Sequence, residues 1–136
     1  MNYLLDTNVV SELTKVRPDQ GVLEWRERTA SDGHYLSVLV LGEIRRGVEL
    51  LRRRDPKRAG LIEDWLTTLR SEFAERILPV DAAVADAWGR LDVPDRLPAI
   101  DGLMAATALV HDLTLVTRNA ADIQRPLVRV LNPFRR

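Results

Sequence analysis

The chain has 136 residues, of which 46% are hydrophobic, so one domain can bury a core without disulfides or a structural metal. It has no cysteine, which excludes a disulfide framework and a thiolate zinc site, and two isolated histidines, His34 and His111, leave little for imidazole catalysis. Its 20 basic and 20 acidic residues cancel, so any binding of nucleic acid must depend on local clusters of charge.

The N-terminal segment predicts a short strand, an acid and then a helix. Residues 3–5 are apolar and typical of a buried strand. Thr7 and Asn8 suit the start of a helix, because their side-chain oxygens can accept hydrogen bonds from its first N–H groups. Asp6 then lies at the carboxyl end of a strand, where open α/β sheets bind ligands, so it is placed to hold a metal. The alternative is that Asp6 itself caps the helix, since aspartate is a preferred capping residue.

The following segment predicts a helix, a turn, a strand and a longer helix. Residues 20–29 have a helical spacing of apolar side chains, and residues 31–33 form a turn. Residues 34–38 are short and apolar, which indicates a second buried strand. From Leu41 to Leu51 the apolar residues recur every three or four positions, as in an amphipathic helix.

Two more helices enclose a third strand. Pro56 suits a helix start, and the apolar residues from 61 to 73 give that helix a broad buried face. Residues 76–80 indicate a short strand, and Asp81 caps the next helix.

The C-terminal segment continues the alternation. Residues 99–110 form a small-residue helix that contains Asp101, residues 113–117 a fourth strand, and residues 127–131 a fifth. Strands that alternate with helices favour parallel pairing through right-handed crossovers. We therefore predict an α/β fold, a three-layer α/β/α domain with a mainly parallel sheet of four to five strands.

Three acids interrupt apolar or small-residue stretches, namely Asp6, Glu43 and Asp101. Unpaired buried carboxylates are costly, so such residues lie at the surface, cap a helix or surround a cation. All three follow or precede strands that end at the same edge of the sheet, so they can meet there. Hard oxygen ligands without cysteine favour Mg²⁺, with Mn²⁺ as the other possibility. Such an ion can activate water for hydrolysis of a phosphodiester.

The same residues carry a resemblance to a known family. Its four motifs, in order along essentially the whole chain, are Leu-Leu-Asp6-Thr-Asn, Leu-Gly-Glu43-Ile-Arg-Arg-Gly, Ile-Asp101-Gly-Leu-Met-Ala-Ala-Thr and Thr117-Arg-Asn-Ala-Ala-Asp122. Together they resemble the PIN-domain ribonucleases, specifically VapC-type toxins of type II toxin–antitoxin pairs. The resemblance implies a single PIN domain over residues 1–136 and Mg²⁺-dependent cleavage of RNA. It also implies a homodimer and a cognate antitoxin that occupies the active-site cleft.

The resemblance also assigns roles to residues of this chain. Asp6 and Asp101 match the principal metal ligands, and Glu43 matches the third acid, which binds metal or orients water. Many PIN domains have an acid directly after the Thr-Arg pair, where this chain has Asn119, and Asp122 follows three residues later. By this resemblance, either Asn119 or Asp122 can complete the catalytic set with Asp6, Glu43 and Asp101. The residues expected to support the acids or contact substrate are Thr7, Thr117, Arg118 and Arg46.

Basic residues near these motifs are candidates for phosphate contacts. Arg45 and Arg46 lie within one turn of Glu43, and Arg118 lies beside the proposed site, where it can contact a substrate phosphate or an antitoxin carboxylate. The denser basic run at 52–58 is better interpreted as a solvated face.

Tryptophans and small residues have structural interpretations. Trp25, Trp65 and Trp88 fall on apolar helix faces and are expected in the core rather than as platforms for bases. Gly102 leaves room for a substrate or second subunit, or else for a tight contact within the fold. The alanine-rich helix from Ala99 is a candidate dimer surface.

Two other classes of protein fit part of the pattern. A haloacid-dehalogenase-like phosphatase also begins with strand and aspartate, but it needs a second acid where this chain has Asn8, and a lysine that is missing here. A receiver-like phosphoacceptor also needs that lysine, so the same absence argues against it. A catalytically weakened PIN-like module that binds RNA or protein remains the main alternative. No apolar run approaches the ~20 residues of a membrane span, and the N-terminus lacks a signal-peptide pattern, so we expect a cytoplasmic protein.

Overall fold

A five-stranded parallel sheet forms the centre of the protein in the computed structural model, which describes residues 1–135. The strands are β1 (Tyr3–Leu5), β2 (His34–Ser37), β3 (Ile77–Leu78), β4 (Thr114–Val116) and β5 (Val130–Leu131). Their order across the sheet is β3-β2-β1-β4-β5, and every neighbouring pair is parallel. The predicted α/β fold with a parallel sheet is therefore confirmed. Because all strands point the same way, the carboxyl ends of β1, β2 and β4 open on one edge.

Six α-helices connect the strands. They are α1 (Thr7–Glu12), α2 (Gln20–Arg28), α3 (Val38–Arg52), α4 (Pro56–Glu72), α5 (Ala82–Leu91) and α6 (Ala99–Val110). The chain moves outward from β1 to β3 and then returns to the other side of β1 for β4 and β5. Right-handed crossovers place α1 to α4 on one face of the sheet and α5 and α6 on the other. None of the helices in residues 1–135 is long and apolar enough to cross a membrane.

The strand β1 has the predicted bounds, whereas the other four strands are shorter than the sequence predicted. Pro79 has no N–H to donate to a neighbouring strand, so β3 ends at Leu78 rather than at residue 80. The fifth strand pairs with β4 through Val130 and Leu131 only.

The start of α1 corrects one prediction. Asp6 has an extended backbone, with φ −72° and ψ 159°, and its side chain accepts a hydrogen bond from the amide of Thr7. Thr7 and Asn8 are already inside the helix, so Asp6 is the capping residue and they are not. The predicted cap at Asp81 is confirmed, since its carboxylate accepts from the amide of Val84.

The core lies between the sheet and both helical layers. Leu4, Leu36 and Leu115 of the three central strands are fully buried. Trp25 is buried as well, while Trp65 and Trp88 are partly buried and pack against the core. The tryptophans therefore serve packing, as the sequence predicted.

Candidate functional site

Asp6 is held at the carboxyl end of the central strand. Only 6% of the residue is exposed, and its carboxylate accepts three hydrogen bonds. The amide of Thr7 donates to Oδ1 at 2.7 Å, while the Thr117 hydroxyl and the Asn8 amide group donate to Oδ2 at 2.8 Å and 3.4 Å. A buried carboxylate with this many donors has a fixed orientation. Asp6 thus caps α1 and also presents its acid at the edge of the sheet, so the two interpretations of this residue are compatible.

Thr117 and Asn8 join the ends of β1 and β4. The buried Thr117 Oγ1 donates to Asp6 and accepts from the amide of Asn119 at 3.1 Å and from the Asn8 side chain at 3.3 Å. A hydroxyl has one donor and two acceptor positions, so all its capacity is used. The Asn8 side-chain oxygen accepts in turn from the amide of Arg118 at 3.1 Å. The sequence indicated the support role of Thr117 but not that of Asn8, whose position two residues after Asp6 was the available signal.

Glu43 lies on the first turns of α3, directly after β2. Its side chain is exposed at the rim of the site, and its Oε1 accepts a hydrogen bond of 2.5 Å from the Thr7 hydroxyl. Since the Thr7 amide donates to Asp6 and its hydroxyl donates to Glu43, one residue connects two of the three predicted acids. The expected supporting role of Thr7 has a direct structural basis.

Asp101 lies in the first turn of α6 and is partly buried. Burial raises its pKa above the ordinary value, and the negative charges of Asp6, Glu43 and Asp122 raise it further. Acids that are distant in sequence therefore lie close enough to Asp101 to act on its charge. The short helical turn after β4 brings Asp122 to this site, with its amide donating to the Asn119 carbonyl at 2.9 Å.

The side chains are not arranged as a finished metal cage. Within residues 1–135, no group of three or more acidic or histidine side chains is positioned to hold a metal ion directly. Asp6 and Glu43 instead accept hydrogen bonds from Thr117 and Thr7. The donor chemistry nevertheless fits a hard divalent cation, because the groups are carboxylates. Burial raises the pKa of Asp101 most, and the neighbouring negative charges that raise it further are ones a cation would offset.

The predicted arginines differ in their surroundings. The Arg118 guanidinium lies over the ring of Phe134, 4.0 Å from its centroid. Arg46 is exposed on α3, whereas Arg45 forms salt bridges with Glu49 and Glu63. Arg45 is therefore engaged between α3 and α4, and Arg46 is the better placed of the two to reach a substrate. No sequence pattern indicated the contact between Arg118 and Phe134.

The small residues of α6 face the interior. A Cβ on Gly102 would lie 2.9 Å from Cδ1 of Trp88, so this glycine serves a tight contact between α6 and α5. Ala105, Ala106 and Ala108 are fully buried. The alanine face of this helix is therefore used inside the fold and is not a dimer surface, which corrects that part of the prediction.

The comparisons with known proteins agree with this geometry. The family model of the PIN domain matches residues 3–125. Toxin FitB of Neisseria gonorrhoeae is 35% identical over 136 residues, which cover 96% of this chain and 97% of FitB. VapC ribonuclease Y4jK of Sinorhizobium fredii is 30% identical over 137 residues, which cover 96% of each chain. The crystal structure of FitAcB from Neisseria gonorrhoeae has a TM-score of 0.87 and 34% identity, and the match covers 96% of this chain and 97% of the other. All four motif segments lie within residues 3–125, the stretch that the family model matches.

Proposed function

Because this chain belongs to the PIN-domain family, as a toxin of the VapC type, we propose that it is a metal-dependent endoribonuclease that hydrolyses RNA phosphodiesters. The family membership supports a nuclease acting as a toxin. The metal, the residue roles and the RNA substrate are parts of the proposal that experiments must test.

One observation carries the proposal, the mutual effect of four acids. The pKa of Asp101 is raised by burial and by the charges of Asp6, Glu43 and Asp122. A fold gains no stability from carboxylates that repel one another, so their gathering at a ligand-binding edge favours a site for a cation. An acid with a raised pKa beside other carboxylates in this position is typical of active sites.

Asp6, Asp101 and Glu43 would hold Mg²⁺ or Mn²⁺, with Asp122 or the amide oxygen of Asn119 completing the set. Oxygen ligands without thiolates favour these hard ions. When bound, such an ion supplies an activated water and offsets the negative charge that develops on the phosphodiester.

Side chains of the protein orient the acids of the site. Thr117 fixes the Asp6 carboxylate through its hydroxyl, and Thr7 holds Glu43 at the rim. Glu43 is exposed there, so it can accept a proton from the attacking water. Asp101 would bind a cation in its ionised form, as ligand carboxylates do.

The family also supports proposals about partners and location. We propose a cognate antitoxin that covers the site, a homodimer, and action in the cytoplasm on RNA. We also propose that residues 1–136 form a single PIN domain. The phosphatase interpretation is set aside, since the acid it requires is replaced by Asn8, which binds Thr117 and the amide of Arg118.

The test is cleavage of unstructured RNA by purified protein with Mg²⁺, with Mn²⁺ and with EDTA. We expect cleavage with either metal and none in EDTA. The Asp101→Asn variant should be inactive, whereas Asp64→Asn, which removes an exposed acid on α4, should cleave normally. Cleavage that persists in EDTA would contradict the proposal. A protein that folds and binds RNA but never cuts it would instead support the weakened binding module.

A further inference from the structure

A polar pocket of about 450 Å³ lies beside the site, between the turn that joins α1 to α2 and the segment after β4. Its charged lining consists of Lys15, Arg17, Arg118, Arg135, Glu12 and Asp19. The four cations outnumber the two acids, although the chain as a whole has no net charge. The pocket is therefore a local cluster of positive charge of the kind that a neutral protein needs to attract a polyanion.

The acids of the pocket are engaged by the protein itself. Glu12 is 6% exposed, and its two oxygens are bound by Lys15 at 2.9 Å and by the amide of Asp19 at 2.8 Å. Oδ1 of Asp19 accepts from the amides of Val22 and Arg135, at 3.2 Å and 3.1 Å. These contacts hold the carboxylates in the wall, so the exposed side chains that face an incoming ligand are the cations.

Two arginines of the pocket remain available to a ligand. Within residues 1–135, neither Arg17 nor Arg118 forms a salt bridge, whereas Lys15 pairs with Glu12 and Arg135 with Glu24. The Arg118 guanidinium stacks on Phe134, which covers one face of the group and leaves its N–H edge for hydrogen bonds. A planar guanidinium group held in this way can donate two parallel hydrogen bonds to the oxygens of a phosphate.

Hydrogen bonds through Asn8 connect the pocket to the proposed site. The amide of Arg118 donates to Asn8, whose side chain also reaches Asp6. Glu12 follows Asn8 by four residues on the same face of α1, one turn further from the site. An RNA strand bound at Asp6 would therefore run next to Arg118, which lines this pocket.

We propose that the pocket lined by Arg17 and Arg118 binds a backbone phosphate of the RNA, next to the phosphodiester that is cleaved. This inference rests on the proposed ribonuclease function and adds the path of the substrate. An acidic segment of a protein partner has similar charge, but the small pocket joined through Asn8 to the acids of the site favours the substrate strand.

The test is binding of a fluorescent single-stranded RNA to the Asp101→Asn protein in EDTA, measured by anisotropy at several salt concentrations. Cleavage is blocked, so binding is read independently of activity. Adding Arg17→Gln should weaken RNA binding roughly threefold to tenfold at low salt. It should also reduce the slope of log K against log salt by about 0.7, because one phosphate contact on single-stranded RNA contributes about that much to the slope. Arg70→Gln removes the same charge from an exposed position on α4 and should change neither.

The outcomes separate the two proposals. If wild-type protein cuts RNA with Mg²⁺ but Arg17→Gln binds RNA as Arg70→Gln does, the pocket is not a phosphate site and the ribonuclease proposal survives. If wild-type protein neither binds nor cuts RNA, both proposals fail. A poly-glutamate peptide serves as the second probe. If Arg17→Gln binds this peptide more weakly than the protein without that substitution but binds RNA equally well, the pocket belongs to an acidic protein partner. That result would overturn the inference.

Discussion

Thr117 donates a hydrogen bond of 2.8 Å to Asp6, although 111 residues separate the two in sequence. The contact follows from the sheet, because Leu5 pairs with Val116 in parallel strands. Asp6 and Thr117, which directly follow these two residues, therefore lie side by side. The orientation of the central acid is thus set by the register of β1 against β4 rather than by its own neighbours alone.

Thr117→Val should loosen this site and destabilise the fold. The valine keeps the shape of threonine but leaves Asp6 without its closest side-chain donor and the amide of Asn119 without its acceptor. An unmade buried hydrogen bond costs about 1–3 kcal/mol, so we expect the free energy of unfolding to fall by that amount in urea titrations. Metal affinity should fall about 10- to 100-fold, measured by Mn²⁺ titration calorimetry. Thr117→Ser keeps the hydroxyl and should retain most of both quantities.

Asp101→Asn should stabilise the metal-free protein while it removes activity. The folded-state pKa of Asp101 is raised by burial and by Asp6, Glu43 and Asp122, so its ionised form is disfavoured in the folded chain. Because the folded chain binds this proton more tightly than the unfolded chain, the free energy of unfolding decreases as pH rises from the unfolded pKa through the raised folded pKa. The neutral amide escapes the penalty, so Tm in EDTA near neutral pH should exceed that of the wild type. Added Mg²⁺ should raise Tm of the wild type only. A lower Tm for the variant in EDTA would show that Asp101 is not under electrostatic strain.

The sequence predicts the fold well because the relevant signals are local. The apolar runs, the helical spacing from Leu41 to Leu51 and the alternation of strands with helices each depend on a few neighbouring residues. The placement of Asp6, Glu43 and Asp101 after or before strands predicts that they share one edge of the sheet, and in the structure the charges of Asp6 and Glu43 act on Asp101.

The contacts that the sequence could not predict join distant segments. The bond from Thr7 to Glu43 depends on how α3 leaves β2, and the position of Arg118 over Phe134 depends on the chain after β5. The burial of Ala105 likewise depends on what packs against α6. Composition marks such residues as small, polar or basic, but only the tertiary structure selects their partner.

Asp122→Asn should reduce activity more than Asn119→Ala. The charge of Asp122 reaches Asp101 and raises its pKa, whereas the contact of Asn119 with Thr117 is made by its backbone amide, which the alanine variant keeps. We expect kcat/KM for RNA to fall at least about tenfold in Asp122→Asn and to change little in Asn119→Ala. The reverse order would identify the Asn119 amide oxygen as the group that completes the site.

Gly102→Ala should disturb the packing of α6 against α5. The new Cβ would lie 2.9 Å from Cδ1 and 3.0 Å from Nε1 of Trp88, and the ring must shift to avoid it. Overpacking of this kind costs about 1–3 kcal/mol of unfolding free energy. Gly89→Ala is the matched control on α5, where the Cβ has no neighbour within 4 Å among the described residues, and it should raise stability by about 0.5–1 kcal/mol through helix propensity. Equal effects of the two substitutions in urea unfolding would contradict the clash.

His34 should make the fold sensitive to mild acid. The ring is buried, stacks on Trp25 at 4.9 Å and shares a hydrogen bond of 2.7 Å with the Thr29 hydroxyl. Burial lowers its pKa below 6.5, and the charges of Arg76 and Arg26 lower it further, although Asp32 opposes them. The unfolded chain therefore binds a proton more readily than the folded chain, and stability falls as pH drops below 6.5 toward the folded pKa.

The measurement is the free energy of unfolding in urea at about pH 7.5 and about pH 5.5, for the wild type, His34→Gln and His111→Gln. His111→Gln replaces the exposed histidine at the end of α6 and is the matched control. His34→Gln is less stable at neutral pH through lost stacking, but its difference between the two pH values should be smaller, because glutamine takes up no proton. If all three proteins lose the same free energy in acid, carboxylates elsewhere cause the loss and the buried imidazole does not.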